Sequence, residues 1–202
     1  MENKQKIPVG GGGIMHPKLI VGIGGSAGAL NAYKALLEAL PTNTGLAFVI
    51  ISHMNPTANS QLALILSRHT KMPVTVAAMA MPIFANHVYI IPPNADLLIH
   101  DYTFEVISPR SYGHKQIDVF FASLAKAMGV RAVGIVLSGY DGDGTEGCKH
   151  IKAHGGKTFA QDMSAEVDFM PLSAQASGYA DFVMPLDKIP DKLKSLASVL
   201  KS

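Results

Sequence analysis

The sequence predicts an α/β fold of three layers, αβα: a mostly parallel, doubly wound sheet with helices on both faces and a small antiparallel hairpin. Three observations predict it. Short apolar runs such as Leu19–Ile23, Leu46–Ile51 and Ala132–Leu137 suit strands buried on both sides. Segments with helical spacing alternate with these runs, and strand–helix alternation implies parallel strands joined by crossovers. No internal repeat and no linker divides the 202 residues, so one domain is expected from residue 18 to 202. Residues 1–17, polar and then glycine-rich from Gly10 to Gly13, are expected to form a flexible tail.

The elements follow in order. The first strand, Leu19–Ile23, runs into glycine, and Leu30, Tyr33, Leu36, Leu37 and Leu40 then mark a helix that Pro41 stops. Leu46–Ile51 is the second strand. Asn59–His69 is a helix with Leu62, Ile65 and Leu66 on one face. Val74–Ala77 and Val88–Ile91 are short strands, and Leu97–Ile99 with Phe104–Ile107 forms a hairpin across His100–Thr103. Gln116–Met128 is helical, striped by Ile117, Phe120, Phe121 and Leu124. Ala132–Leu137 is a buried strand, and a helix from Thr145 to His154 ends at Gly155-Gly156. Lys157–Gln161 and Phe182–Met184 are the last strands, and Asp187 is expected to cap a closing helix.

Composition narrows the function. With 17 basic and 15 acidic residues, the net charge of +2 gives no electrostatic footprint for nucleic acid or an anionic membrane. The longest apolar runs, about eight residues, are too short to span a bilayer, so no membrane insertion is expected. A single cysteine, Cys148, excludes a disulfide framework and a multi-cysteine zinc site. With no signal peptide in view, a cytoplasmic location is expected.

In parallel sheets, ligands sit at the carboxyl ends of the strands, so the loops after strands carry the chemistry. Three such loops stand out. The first, Gly22-Ile-Gly-Gly-Ser26-Ala27-Gly28, fits a dinucleotide fingerprint as Gly22-x-Gly24-x-x-Ala27. That reading wants a carboxylate at the end of the second strand, which instead ends Ser52-His53-Met54. As Gly24-x-Ser26-x-Gly28 the same loop fits a nucleophile elbow at a helix N-terminus, or Ser26 is simply an N-cap. In the second loop, His53 either serves as a general base or satisfies a loop carbonyl. In the third, Leu137-Ser138-Gly139-Tyr140-Asp141-Gly142-Asp143-Gly144, Asp143 either caps the following helix or orients a histidine. The oxygen-rich residues of this loop lack the spacing of a twelve-residue calcium loop. The order Ser…His…Asp differs from that of the α/β-hydrolases.

Taken together, Ile23–Gly28, Ser52-His53-Met54 and Leu137–Gly144 resemble the three signature blocks of the catalytic domain of CheB-type protein-glutamate methylesterases. Asn86–Pro93, Gln116–Phe121, Gly155-Gly156 and Met170-Pro171 match in the same order. The resemblance runs from Lys18 to Pro190 and makes residues 18–202 a methylesterase-like catalytic domain. It implies hydrolysis of glutamate methyl esters, with release of methanol, on cytoplasmic helices of chemotaxis receptors or similar signalling proteins, and in some members deamidation of glutamines. It implies Ser26 as nucleophile, His53 as base and later acid, and Asp143 as orienting carboxylate. Such chemistry needs oxyanion donors, for which the backbone N–H groups near Ala27 and Tyr140 are the candidates, and no metal or organic cofactor. Where the family pattern has Gly-Met-Gly-x-Asp-Gly, this chain has Gly139-Tyr140-Asp141-Gly142-Asp143-Gly144. Tyr140 and Asp141 alter the rim, and Asp141 competes for the histidine, though the spacing favours Asp143. Ala27 stands where threonine is usual, and Leu172 where arginine often follows Met-Pro. The receiver domain that normally precedes these blocks in the family does not appear before them here, so the resemblance does not carry control by intramolecular phosphorylation over to this chain.

Two other classes fit parts of the pattern: a non-catalytic signalling module that keeps the esterase fold, and a dinucleotide-binding protein. His150 and His154 share a helix face but lack the intervening glutamate and a third ligand of a zinc helix. Cys148 is read as core packing. Asp118 and Phe120-Phe121 are read as structural. Met54, Met163 and Met170, placed in loops, fill the core or grip a partner helix.

Overall fold

The computed structural model describes residues 16–53 and 59–199. Most of the expected tail, and Met54, lie outside the described residues. Seven strands form one parallel sheet: β1 (Ile20–Gly25), β2 (Ala47–Ser52), β3 (Val74–Val76), β4 (His87–Ile90), β7 (Ala132–Val136), β8 (Lys157–Gln161) and β9 (Phe182–Met184). The remaining pair, β5 (Asp96–His100) and β6 (Thr103–Ile107), makes the expected antiparallel hairpin. The helices are α1 (Ala29–Ala39), α2 (Asn59–Leu66), α3 (Gln116–Met128), α4 (Thr145–Ala153), α5 (Phe169–Ala176) and α6 (Ile189–Val199).

The strand order is β3-β4-β2-β1-β7-β8-β9. The chain starts at the centre, builds outward through β2, and later returns to the other side of β1 with β7. This reversal is the switch point at which parallel sheets leave a crevice beyond their strand ends. All residues of β1, β2 and β7 are buried, which explains their continuous apolar runs.

Two cores cover the two faces. On one, Leu36, Leu37, Phe48, Ile50, Leu62 and Leu193 pack α1, α2 and α6 against the sheet. On the other, Phe120, Phe121, Leu124, Ile151 and Met170 pack α3, α4 and α5, with Leu97, Ile99 and Phe104 of the hairpin joining them. The β1 backbone passes close under α3. A Cβ at Gly24 would stand 2.6 Å from Ile117 Cγ2, so glycine there lets the first turn of α3 settle against the strand end.

Two expectations are corrected. Met170 is not in a loop: it lies in α5 and is fully buried. The sequence reading missed α5 because Pro171 looks like a breaker, yet proline in a first helical turn forfeits no intrahelical hydrogen bond. Asp187 sits inside a short 3-10 turn, Leu186–Lys188, that precedes α6, and its carboxylate lies 3.5 Å from Lys188 Nζ instead of capping the helix. No described helix is long and apolar enough to cross a membrane.

Candidate active site

The β1–α1 loop makes a sharp turn because Gly28, at the N-cap of α1, adopts φ +74°. Ser26 and Ala27 are left half-buried between strand and helix. Ser26 is therefore not the cap of α1; Gly28 is.

Backbone register brings the next loop alongside. Gly25 of β1 pairs with Ser52 of β2, so Ser26 and His53 each stand one residue beyond a paired position. The His53 N–H donates to the Gly25 carbonyl at 3.3 Å, and the Ser26 N–H donates to the Ser138 carbonyl at 2.9 Å. The three strand-end loops are thus tied by main-chain bonds that hold residues 26, 53 and 138 at one edge of the sheet.

Ser138 adds a side-chain tie that the sequence reading did not single out. Its fully buried hydroxyl donates to the Ala27 carbonyl at 2.8 Å and accepts from the Val167 N–H at 2.9 Å. A Cβ at Gly28 would stand 2.6 Å from this oxygen, so the elbow and the clamp fit only with glycine there.

Asp143 is the most heavily bonded group of the site. Its Oδ2 accepts from Ile117 N–H at 2.9 Å and lies 2.6 Å from His53 Nε2. Its Oδ1 accepts from the N–H groups of Asp118 and Gly144, both at 2.9 Å. One sequence reading had Asp143 capping the helix that follows it, α4; its carboxylate instead reaches the first turn of α3. It also holds the histidine ring. Helix N-termini present unsatisfied N–H groups and a positive dipole end, both of which favour an ionised carboxylate there. Asp118, read as structural, stands directly behind. Its Oδ1 accepts from Gly144 N–H at 2.9 Å and Gly147 N–H at 2.7 Å, capping α4. Burial, with the adjacent Asp143 charge, pushes the Asp118 carboxyl up to about 6.

The second ring nitrogen of His53 is also occupied. Nδ1 lies 3.1 Å from Asp141 Oδ2, while Asp141 Oδ1 accepts from the Asp143 N–H at 3.1 Å. The competition foreseen for Asp141 is therefore realised without displacing Asp143: His53 bridges both. Burial is the largest single influence on the ring and pulls its pKa down. The hydrogen bonds and charges of Asp143 and Asp141 together outweigh burial and hold it above 6.5. Among the described residues, no hydrogen bond joins the Ser26 hydroxyl to His53. The structure brings His53 and Asp143 into contact and leaves Ser26 beside them through backbone register.

Among the described residues, neither the Ala27 nor the Tyr140 N–H has a hydrogen-bond partner. The Tyr140 side chain is 72% exposed on the rim, with Leu172 and Phe169 of α5 also exposed. Met163 is exposed as well, at 81%. A cavity of about 540 Å³ between the hairpin and α3, lined by Leu98, Tyr112, Val119 and Lys126, includes none of the three strand-end loops. His154 Nδ1 bonds the His150 carbonyl at 2.8 Å, which is a helix-end contact, and Cys148 is buried with its thiol pushed up.

The comparisons with known proteins cover the same blocks. The family model described as CheB methylesterase matches residues 21–193. A protein of Leptospira interrogans serovar Lai, whose name proposes glutamate methylesterase and glutamine glutaminase activities, is 33% identical over 173 residues, 84% of this chain and 90% of its own length. The protein-glutamate methylesterase/protein-glutamine glutaminase of Hydrogenovibrio crunogenus is 34% identical over 184 residues, 88% of this chain but only 49% of that protein. The chain thus spans about half the length of this second relative. The crystal structure of the Thermotoga maritima CheB methylesterase catalytic domain superposes with a TM-score of 0.81 at 29% identity, covering 88% of this chain and 98% of that one.

Proposed function

The chain belongs to the CheB methylesterase family, and from that premise we propose that it is a serine hydrolase that demethylates glutamate methyl esters on helices of a chemoreceptor or similar signalling protein. Its product besides the free carboxylate is methanol, and a glutamine in the same position would release ammonia. The cytoplasm is the compartment in which such helices would meet it. The observation that carries this reading is the 2.6 Å contact between His53 and Asp143 at the strand edge that also holds Ser26.

In this reading the Ser26 hydroxyl attacks the ester carbonyl carbon as His53 takes its proton. Because Nε2 is held by Asp143, Nδ1, which now contacts Asp141, is the nitrogen left for this task. The tetrahedral oxyanion is met by the N–H groups of Ala27 and Tyr140, which have no other described partner. Collapse breaks the bond to the methoxy oxygen, and His53 returns the proton to release methanol. Water then attacks the acyl-Ser26 ester with His53 again as base, and collapse frees Ser26 and the glutamate. Asp143 keeps the ring oriented throughout. The bond between Asp141 and Nδ1 favours a second reading, a signalling module without turnover.

Methanol release from a methylated receptor cytoplasmic domain separates the two. The wild type should release methanol, and Ser26→Ala and His53→Ala should each reduce the rate by about 10,000-fold. Equal, background rates in all three proteins would leave the binding module as the surviving account.

A further inference from the structure

Two carboxylates hold His53, and they are not equivalent. Asp143 is locked: its side chain is 2% exposed, and three backbone N–H groups bond it besides the ring. Asp141 is loose. Its side chain is 46% exposed, and besides the ring its described bond is one from the Asp143 N–H. Ionised carboxylates only accept hydrogen bonds, so a ring bonded to both must donate from both nitrogens. With both carboxylates ionised this geometry suits the imidazolium, which has no lone pair for the Ser26 proton.

We propose that Asp141 is a positioning residue that latches the His53 ring in its protonated form, and that turnover requires Nδ1 to leave Asp141 for the Ser26 hydroxyl. The proposal rests on the hydrolase reading of Ser26 and His53. It assigns opposite duties to neighbouring carboxylates of one loop. Asp143 orients the ring and stays, whereas Asp141 competes with the serine for the nitrogen that does the work. Half-exposed, Asp141 is also the member of the pair that an arriving substrate helix can displace.

The other groups around the ring set the background. From the segment preceding α3, the His114 ring lies 6.3 Å away edge-on. Arg110 and Gln116 line the same small cleft beside His53. Asp118 stands behind Asp143, touching it and not the ring. From the β4 side, Ile91, Pro92, Asn94 and Ala95 bring no charge. Asp141 is therefore the displaceable anion in contact with His53.

The test uses the full chain as wild type, Asp141→Asn, Asp141→Gly and Ser26→Ala. The asparagine oxygen can still accept from the Asp143 N–H, so this variant removes the charge while keeping the loop's internal bond. Two readouts are taken: the NMR titration of the His53 ring, and the pH profile of kcat/KM on a methyl ester. Both Asp141 variants are expected to move the ring titration and the acid limb of the profile to lower pH. The rate near about pH 6 should rise roughly threefold or more, carried by kcat with KM little changed. An unmoved ring titration in both variants, or an acid limb that stays in place, would overturn the latch. Loss of turnover in Ser26→Ala with an unmoved limb in Asp141→Asn sinks the latch alone. Retained turnover in Ser26→Ala sinks the hydrolase reading, while the ring titration still reports whether Asp141 grips His53.

Discussion

The Ser138 hydroxyl donates to the Ala27 carbonyl at 2.8 Å, joining the loop after β7 to the turn after β1. The same oxygen accepts from the Val167 N–H at 2.9 Å, so one buried hydroxyl fixes three segments around the elbow. Ser138→Ala leaves a carbonyl and an N–H without that partner in a buried place. Loss of about 1–3 kcal/mol of stability is expected, since each orphaned buried group carries a desolvation penalty. Urea unfolding measures it, and ester turnover should fall with it as the elbow loosens.

Gly28 is the second constraint on that turn. Its φ of +74° disfavours any side chain, and a Cβ would press on Ser138 Oγ at 2.6 Å and Glu166 Cβ at 2.9 Å. Gly28→Ala should cost about 1–3 kcal/mol, read from the same unfolding curves, and should lower turnover more than a remote substitution of equal cost.

Asp143→Asn tests the orienting carboxylate. The amide keeps the shape but turns an N–H₂ toward backbone donors and removes the charge beside His53. Turnover should fall by about 10,000-fold, and the His53 ring should titrate at lower pH, as NMR would record.

The pH dependence of stability follows from two groups whose folded pKa values are raised. Asp118 goes from 3.8 to about 6 on folding. A raised folded value means that the folded state binds the proton more tightly, so its stabilising share is present below 3.8 and is lost as pH climbs to about 6. His53 acts with the same sign higher up: its share is present below 6.5 and disappears as pH rises through its elevated folded value. The melting temperature should thus decline in two steps as pH rises. Asp118→Asn should flatten the lower step, because asparagine can still cap Gly144 and Gly147 without titrating. His53→Ala should flatten the upper one. A lower step unchanged in Asp118→Asn would refute the assignment.

Much of this architecture is legible in local pattern. The helix Gln116–Met128 and the strands Lys157–Gln161 and Phe182–Met184 have the bounds that their apolar spacing predicts. The three strand-end loops meet because buried parallel strands in register leave no other place for them. What stayed hidden is tertiary. Asp118 looked structural because nothing local says that the first turn of α3 docks against Gly24 and offers its N–H to Asp143. Ser138 gave no signal beyond its place in a loop, since its partners Ala27 and Val167 are distant in sequence. Helix α5 hid behind Pro171, which a short helix accommodates in its first turn.

The most direct measurement is the mass of peptides from enzyme quenched in acid during turnover of a methylated peptide ester. The relay account predicts a glutamyl adduct on the peptide that carries Ser26, absent in Ser26→Ala together with methanol release. Steady methanol release with no adduct at Ser26, persisting in Ser26→Ala, would contradict it.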